Sequence, residues 1–214
     1  MKPMKSNLPF KPIAAILGCL ALAGVAYYGN WLPLRKSQLF VAASREVQSV
    51  ANFEEFAQVM RRPLDYPSPI GQQELVRNSV SSLIGLLRTP SGKDTALTSQ
   101  VIAFTEKYYN PILTRDRGMS FGQDVYLLGV LYEVAALQTQ NPAYFEKSKE
   151  LFERSYRLSP HRPQTLYGLF DIYRFERNSA KVREVAERIL RQWPNDEAIR
   201  SFLEKYEAEQ EPAS

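Results

Sequence analysis

The sequence is poor in the residues that most chemistry needs. It holds one cysteine, Cys19, and one histidine, His161, in 214 residues. A disulfide within the chain is therefore excluded, and so is a His/Cys metal cluster. A Ser/His/Asp triad would have to use His161, and no nucleophile-elbow motif accompanies it. His161 directly follows Pro160 in a turn, where an exposed, uninvolved histidine is the expected role. Gly118, Gly122 and Gly129 lack the strand context of a phosphate-binding loop. Glu54 and Glu55 are adjacent on a helix and diverge, so they suit its first turn rather than a convergent acid pair. No enzyme, cofactor or metal is expected.

A basic stripe is missing too, although the formal net charge is +4. Residues 1–36 carry Lys2, Lys5, Lys11, Arg35 and Lys36 and no acid, leaving 22 basic against 23 acidic residues in the other 178. A near-neutral body with interspersed signs offers nothing for a phosphate backbone, and nucleic acid is not an expected partner.

What is present is an apolar run. Residues 12–34 (PIAAILGCLALAGVAYYGNWLPL) include no charge from Ile13 to Tyr28. As a helix the segment spans about 34 Å, against ~30 Å of hydrocarbon. Tyr27, Tyr28 and Trp31 occupy interfacial positions and Arg35 and Lys36 close the segment. A single membrane anchor is expected after a basic segment, residues 1–11. Two cleaved alternatives stay open: a small-x-small site at Ala21-Leu22-Ala23, and a lipoprotein-like box at Ile16-Leu17-Gly18-Cys19. Basic residues on the two sides nearly balance and tilt towards a cytoplasmic N-terminus, which places residues 37–214 on the extracytoplasmic side.

Beyond the anchor every segment reads helical, without convincing strand alternation. The pattern predicts a helix over Ser37–Val50 and a short helix capped by Asn52, with Glu54 and Glu55 in its first turn. The string PLDYPSPIG (63–71) breaks the run. Further helices are expected over Gln72–Arg88, and over Ala96–Tyr109 with an end at Pro111. The loop LTRDRGMSFGQD follows. A more regular region then covers Asp124–Leu137, Tyr144–Leu158, a helix starting at Pro163, one ending at Trp193-Pro194, and a final helix within 195–207. Residues 208–214 read as a solvated, disordered tail. The domains are thus 37–115, of degenerate helical hairpins, and 123–207.

Pro160 and Pro194 close two units thirty-four residues apart, and each pair of helices buries little core alone. Leu128, Gly129, Tyr132, Ser148, Phe152 and Pro160, then Leu166, Leu169, Phe170, Tyr173, Val182, Ala186 and Pro194, resemble tetratricopeptide repeats. The first unit carries about seven extra residues around Gln138–Tyr144. The second has Phe170 where Gly or Ala is usual, which implies looser packing there. The resemblance implies an all-α, tetratricopeptide-like solenoid behind the N-terminal transmembrane helix. Its first helices would line a concave groove exposing Gln123, Tyr126, Val130 and Glu133 from one unit. The next unit would add Gln164, Tyr167, Asp171 and Arg174. Tyrosine, arginine and acids side by side suit a peptide or helix ligand.

A second likeness rests on NFEEFAQVMRRPLDYPSPIGQQELVRNSV, DVYLLGVLYEVAA and RSYRLSPHRPQTLYGL. These strings are similar to the soluble region after the last membrane span of bacterial O-antigen ligases and polymerases. The likeness covers roughly residues 37–190 and omits the multi-span catalytic part, so ligase activity does not carry over. It implies an envelope setting. Two functions follow: a membrane-anchored scaffold for another membrane or envelope protein, or an accessory subunit of an envelope polysaccharide ligase or polymerase.

Overall fold

In a computed structural model the described residues are 10–118 and 120–210, with side chains described for 12–118 and 120–206. All regular structure among them is helical. The chain divides into two compact units, Met1–Val76 and Arg77–Ser214, and the division falls inside a helix.

The first unit begins with α1 (Phe10–Ala26), a π-helical turn (Tyr27–Trp31), α2 (Leu32–Glu46) and a 3₁₀ turn (Val47–Ser49). The expected start of a separate helix at Ser37 is corrected: the helix is continuous from the apolar run onward. Ala26 and Trp31, at the junctions, both keep right-handed helical φ/ψ. Pro33 lies just past the π-helical turn, so the continuous helix lacks one ladder donor there. Pro12–Ser49 is long and apolar enough to cross a membrane, and Ile16, Leu17, Leu20, Leu22 and Val25 along it are exposed.

Asn52 caps α3 (Phe53–Leu64) as its sequence foretells, its side chain accepting from the Glu55 N–H at 3.0 Å. Glu55 reaches back to the Ala51 N–H at 2.9 Å, so two donors at the helix start are satisfied together. The inner face of α3 buries Phe56, Ala57, Val59, Met60 and Leu64, and α2 packs against the helix. Glu46 grips Arg62 with both oxygens, at 2.8 and 3.2 Å. Lys36, almost wholly buried, donates to the Tyr66 carbonyl at 2.8 Å and to Gln72 Oε1. A buried ammonium has to be fully bonded to be tolerated, so this lysine fixes the Pro-rich turn after α3 against α2.

The unit boundary lies in α4 (Gln72–Leu87). In the second unit, α4 continues through buried Val80, Leu83, Ile84 and Leu87. A 3₁₀ turn (Pro90–Lys93) leads to α5 (Thr95–Arg115), whose start is capped by Asp94. The expected stop at Pro111 is corrected, since α5 runs through it for another turn. The lost N–H removes one ladder bond, but Ile112 in the added turn is buried, and tertiary packing outweighs the missing bond.

Five helices follow: α6 (Phe121–Thr139), α7 (Pro142–Leu158), α8 (Pro163–Phe175), α9 (Ser179–Gln192) and α10 (Glu197–Gln210). The loop before them is shorter than expected because α6 starts at Phe121; Met119 within it lies outside the described residues. Ser148 Oγ donates to the Gly129 carbonyl (2.9 Å) and Ser155 Oγ to that of Gly122 (3.1 Å), a pairing that only antiparallel helices make. Ser155 with Thr165, and Tyr173 with Glu153, make α7 and α8 antiparallel in the same way.

The helix ends explain the spaced prolines. Ser159 and Trp193 leave helical geometry (ψ 76° and 79°) immediately before Pro160 and Pro194, since a residue preceding proline is pushed out of the α region. Two expectations need correcting. The gap expected between Leu137 and Tyr144 closes to a turn: α6 and α7 run to 19 and 17 residues, against 13 and 14 for α8 and α9, leaving Gln140 and Asn141 between them. Of the expected disordered tail, residues 208–210 belong to α10; the remaining four lie outside the described residues, as do residues 1–9 of the basic segment.

Candidate functional site

Phe152 organises the face shared by α6 and α8. The ring is fully buried, and a Cβ added at Gly129 of α6 or Gly168 of α8 would lie 2.9 Å from it. The two glycines let both helices close on one ring. Phe170 is not a point of loose packing: it is buried and meets Phe202 of α10 edge-on at 5.0 Å. The small residue needed for close approach to α7 is supplied by Gly168 instead.

Deeper in the unit, Asp124 is fully buried and accepts from Arg77 Nε at 3.1 Å. Tyr109 packs close enough for burial and the Asp124 charge to push its hydroxyl well above the usual range. This cluster joins α4, α5 and α6.

The structure divides the eight groove residues foreseen from sequence. Gln123 and Gln164 are exposed. Tyr126 is half-buried, its ring 5.7 Å from that of Phe152. Val130 is buried rather than exposed, α5 packing beside α6. Tyr167 donates to Asp196, which also caps α10 by accepting from the Ile199 N–H at 3.1 Å. Its hydroxyl is thereby committed to holding the last helix and is pushed up to about 12. Arg174 pairs with Asp171 at 3.2 Å and lies over Phe170 and Phe202, 5.5 and 5.0 Å from the ring centres. Tyr167 and Arg174 therefore serve α10 first.

Glu133 stands apart. It is half-buried on α6, and among the described residues no hydrogen bond or ion pair engages its carboxylate. Burial, reinforced by Asp171 and opposed by Arg88, raises it from 4.5 to about 7. Glu133, Leu137, Phe145, Asp171, Ile172, Arg174 and Phe175 line a cavity of about 380 Å³. A neighbouring one of about 450 Å³ shares Leu137, Phe145 and Phe175. Leu137 and Phe175 are exposed at 64% and 65%, and the Phe145 and Phe175 rings lie 4.6 Å apart.

Leu137, Phe145 and Phe175 were missed as site residues, because periodicity assigns apolar side chains to a core. The one sequence signal was the insertion: α6 and α7 are longer than α8 and α9, and Leu137 and Phe145 flank the extra residues. No group of three or more His, Cys, Asp or Glu side chains suited to a metal occurs among the described residues. Comparison with family models, curated proteins and solved structures gave no match to the chain.

Proposed function

We propose that this protein is a membrane-anchored, non-catalytic scaffold whose tetratricopeptide-like second unit binds a segment of another membrane or envelope protein. The observation that carries this reading is the face formed by α6 and α8. It combines exposed Gln123 and Gln164, an unengaged acid at Glu133, and exposed Leu137 and Phe175 around a cavity of about 380 Å³. Soluble surfaces rarely leave such apolar side chains grouped without a partner. The antiparallel pairing of α6 with α7 and of α7 with α8 supports the tetratricopeptide-like assignment. Residues 12–34 of the apolar helix are the single-pass anchor, with residues 37–214 on the extracytoplasmic side. Holding scaffold and partner on one surface raises their effective concentration, so a shallow face suffices.

The test is co-purification from solubilised membranes with the full chain and a Glu133→Lys/Asp171→Lys variant whose melting curve is unchanged. The wild type retains a defined partner and the variant loses it. An identical set of co-purifying proteins from both contradicts the reading.

A further inference from the structure

The geometry points to a site on the second unit for a partner segment carrying a Lys or Arg beside a bulky apolar side chain. The cation is received by Glu133 and Asp171, and the apolar group by Leu137, Phe145 and Phe175. This inference rests on the proposal that the α6–α8 face binds protein, and it adds the chemistry of what is bound.

Charge complementarity selects the occupant. The cavity is lined by two carboxylates and one cation, Arg174, while Arg88, outside the lining, acts on Glu133 through its charge alone. That guanidinium is already committed, paired with Asp171 and held over Phe170 and Phe202. Glu133 is left without a hydrogen-bonded or ion-paired partner among the described residues. An anionic segment would add a third carboxylate to the same half-buried space. A wholly apolar one would bury Glu133 and leave it unsatisfied, which is costly. A Lys or Arg satisfies the acid, and its aliphatic stem lies along Leu137 and Phe145. The apolar half lies at the end of the longer first hairpin: Leu137 and Phe145 flank the extra residues on α6 and α7, and Phe175 is the last residue of α8.

Binding of this kind releases a proton. Glu133 faces Asp171 and Arg174 on α8, Arg88 after α4 and Tyr126 on its own helix. With its empty-site value about 7, it is largely protonated at pH 6 and ionised at pH 8. A cation that requires the ionised form therefore binds up to about ten-fold tighter at pH 8.

The experiment uses the full chain in zwitterionic nanodiscs, titrated with three pools of fluorescent nine-residue peptides rich in Leu, Phe and Met. The pools differ only in a central Lys, Glu or norleucine. The Lys pool is expected to bind about ten-fold tighter than the Glu pool, roughly one charged contact's worth, and tighter at pH 8 than at pH 6. Glu133→Gln removes both differences, and Leu137→Ser weakens the Lys and norleucine pools together. A preference for the Glu pool that Leu137→Ser abolishes overturns the cation assignment while leaving the scaffold reading standing. A Lys preference unchanged in Glu133→Gln also overturns it. No binding of any pool by the wild type overturns both.

Discussion

At the residue scale, Phe152 decides how closely the helices of the second unit pack. Gly129 and Gly168 approach its ring from two helices, and the ring is fully buried with no open side to move into. A methyl at either position overpacks the site. Overpacking costs about 1–3 kcal/mol, and the better helix propensity of alanine returns about 0.5–1 kcal/mol. Gly129→Ala and Gly168→Ala should therefore each cost about 0.5–2 kcal/mol net, read as lower midpoints in urea at unchanged slope. Glu133 supplies the other residue-scale effect. Its value is raised from 4.5 to about 7, so between those limits the folded protein holds a proton that the unfolded chain has released. Stability therefore falls as pH rises through this window and levels off above it. The loss is bounded at about 3 kcal/mol. Glu133→Gln should flatten the slope between pH 5 and pH 7; a slope identical in the variant would assign it to other groups.

At the element scale, helix ends were the most legible feature of the sequence, and the reasons vary from end to end. Asn52 caps α3 with local residues alone, so sequence revealed it, while the return bond from Glu55 to the Ala51 N–H was seen only in the structure. Pro160 and Pro194 stop their helices because the residue before each must leave helical geometry, again a local effect. Pro111 departs from that local rule: Asn110 stays helical and α5 runs on, because the burial of Ile112 is a tertiary term invisible to periodicity. The helices expected over Asp124–Leu137 and Tyr144–Leu158 leave residues 138–143 between them, yet Asn141 caps α7, accepting from the Ala143 N–H, and Pro142 opens that helix. The exposure of Leu137 and Phe175 was not legible, because periodicity assigns apolar side chains to a core. Three helices end on left-handed residues other than glycine: Asp116, Gln140 and Arg177. At Arg177 (φ 55°) the bond from the Asn178 N–H to the Tyr173 carbonyl, 3.0 Å, completes a Schellman-type end. Arg177→Gly relieves the left-handed strain at an exposed position and should stabilise the protein by about 0.5–1 kcal/mol, read as a higher melting midpoint.

At the scale of the whole molecule, the chain divides into two helical units, the first of which begins with the apolar helix. Composition made a helix long and apolar enough to cross a membrane readable, because the run carries no charge from Ile13 to Tyr28. It did not reveal that the helix continues without a break into α2, since Arg35 and Lys36 look like a terminator. Under the proposed orientation, an alkaline phosphatase fused after the C-terminus should be active and a fluorescent protein that matures only in the cytoplasm should stay dark. The reverse pattern would invert the topology and place any partner in the cytoplasm.

The most direct test of the scaffold is in-cell photo-crosslinking from full-length protein, with the photoreactive residue at Gln164 on α8 or at Glu187 on α9. Both positions are exposed and differ in the helix that carries them. A discrete protein adduct from 164 and none from 187 is the expected result, and mass spectrometry of the adduct identifies the partner. A multi-span glycan ligase or polymerase in that adduct would make the protein an accessory subunit of that enzyme. Equal products from both positions, or none from 164, would contradict a binding face on α6 and α8.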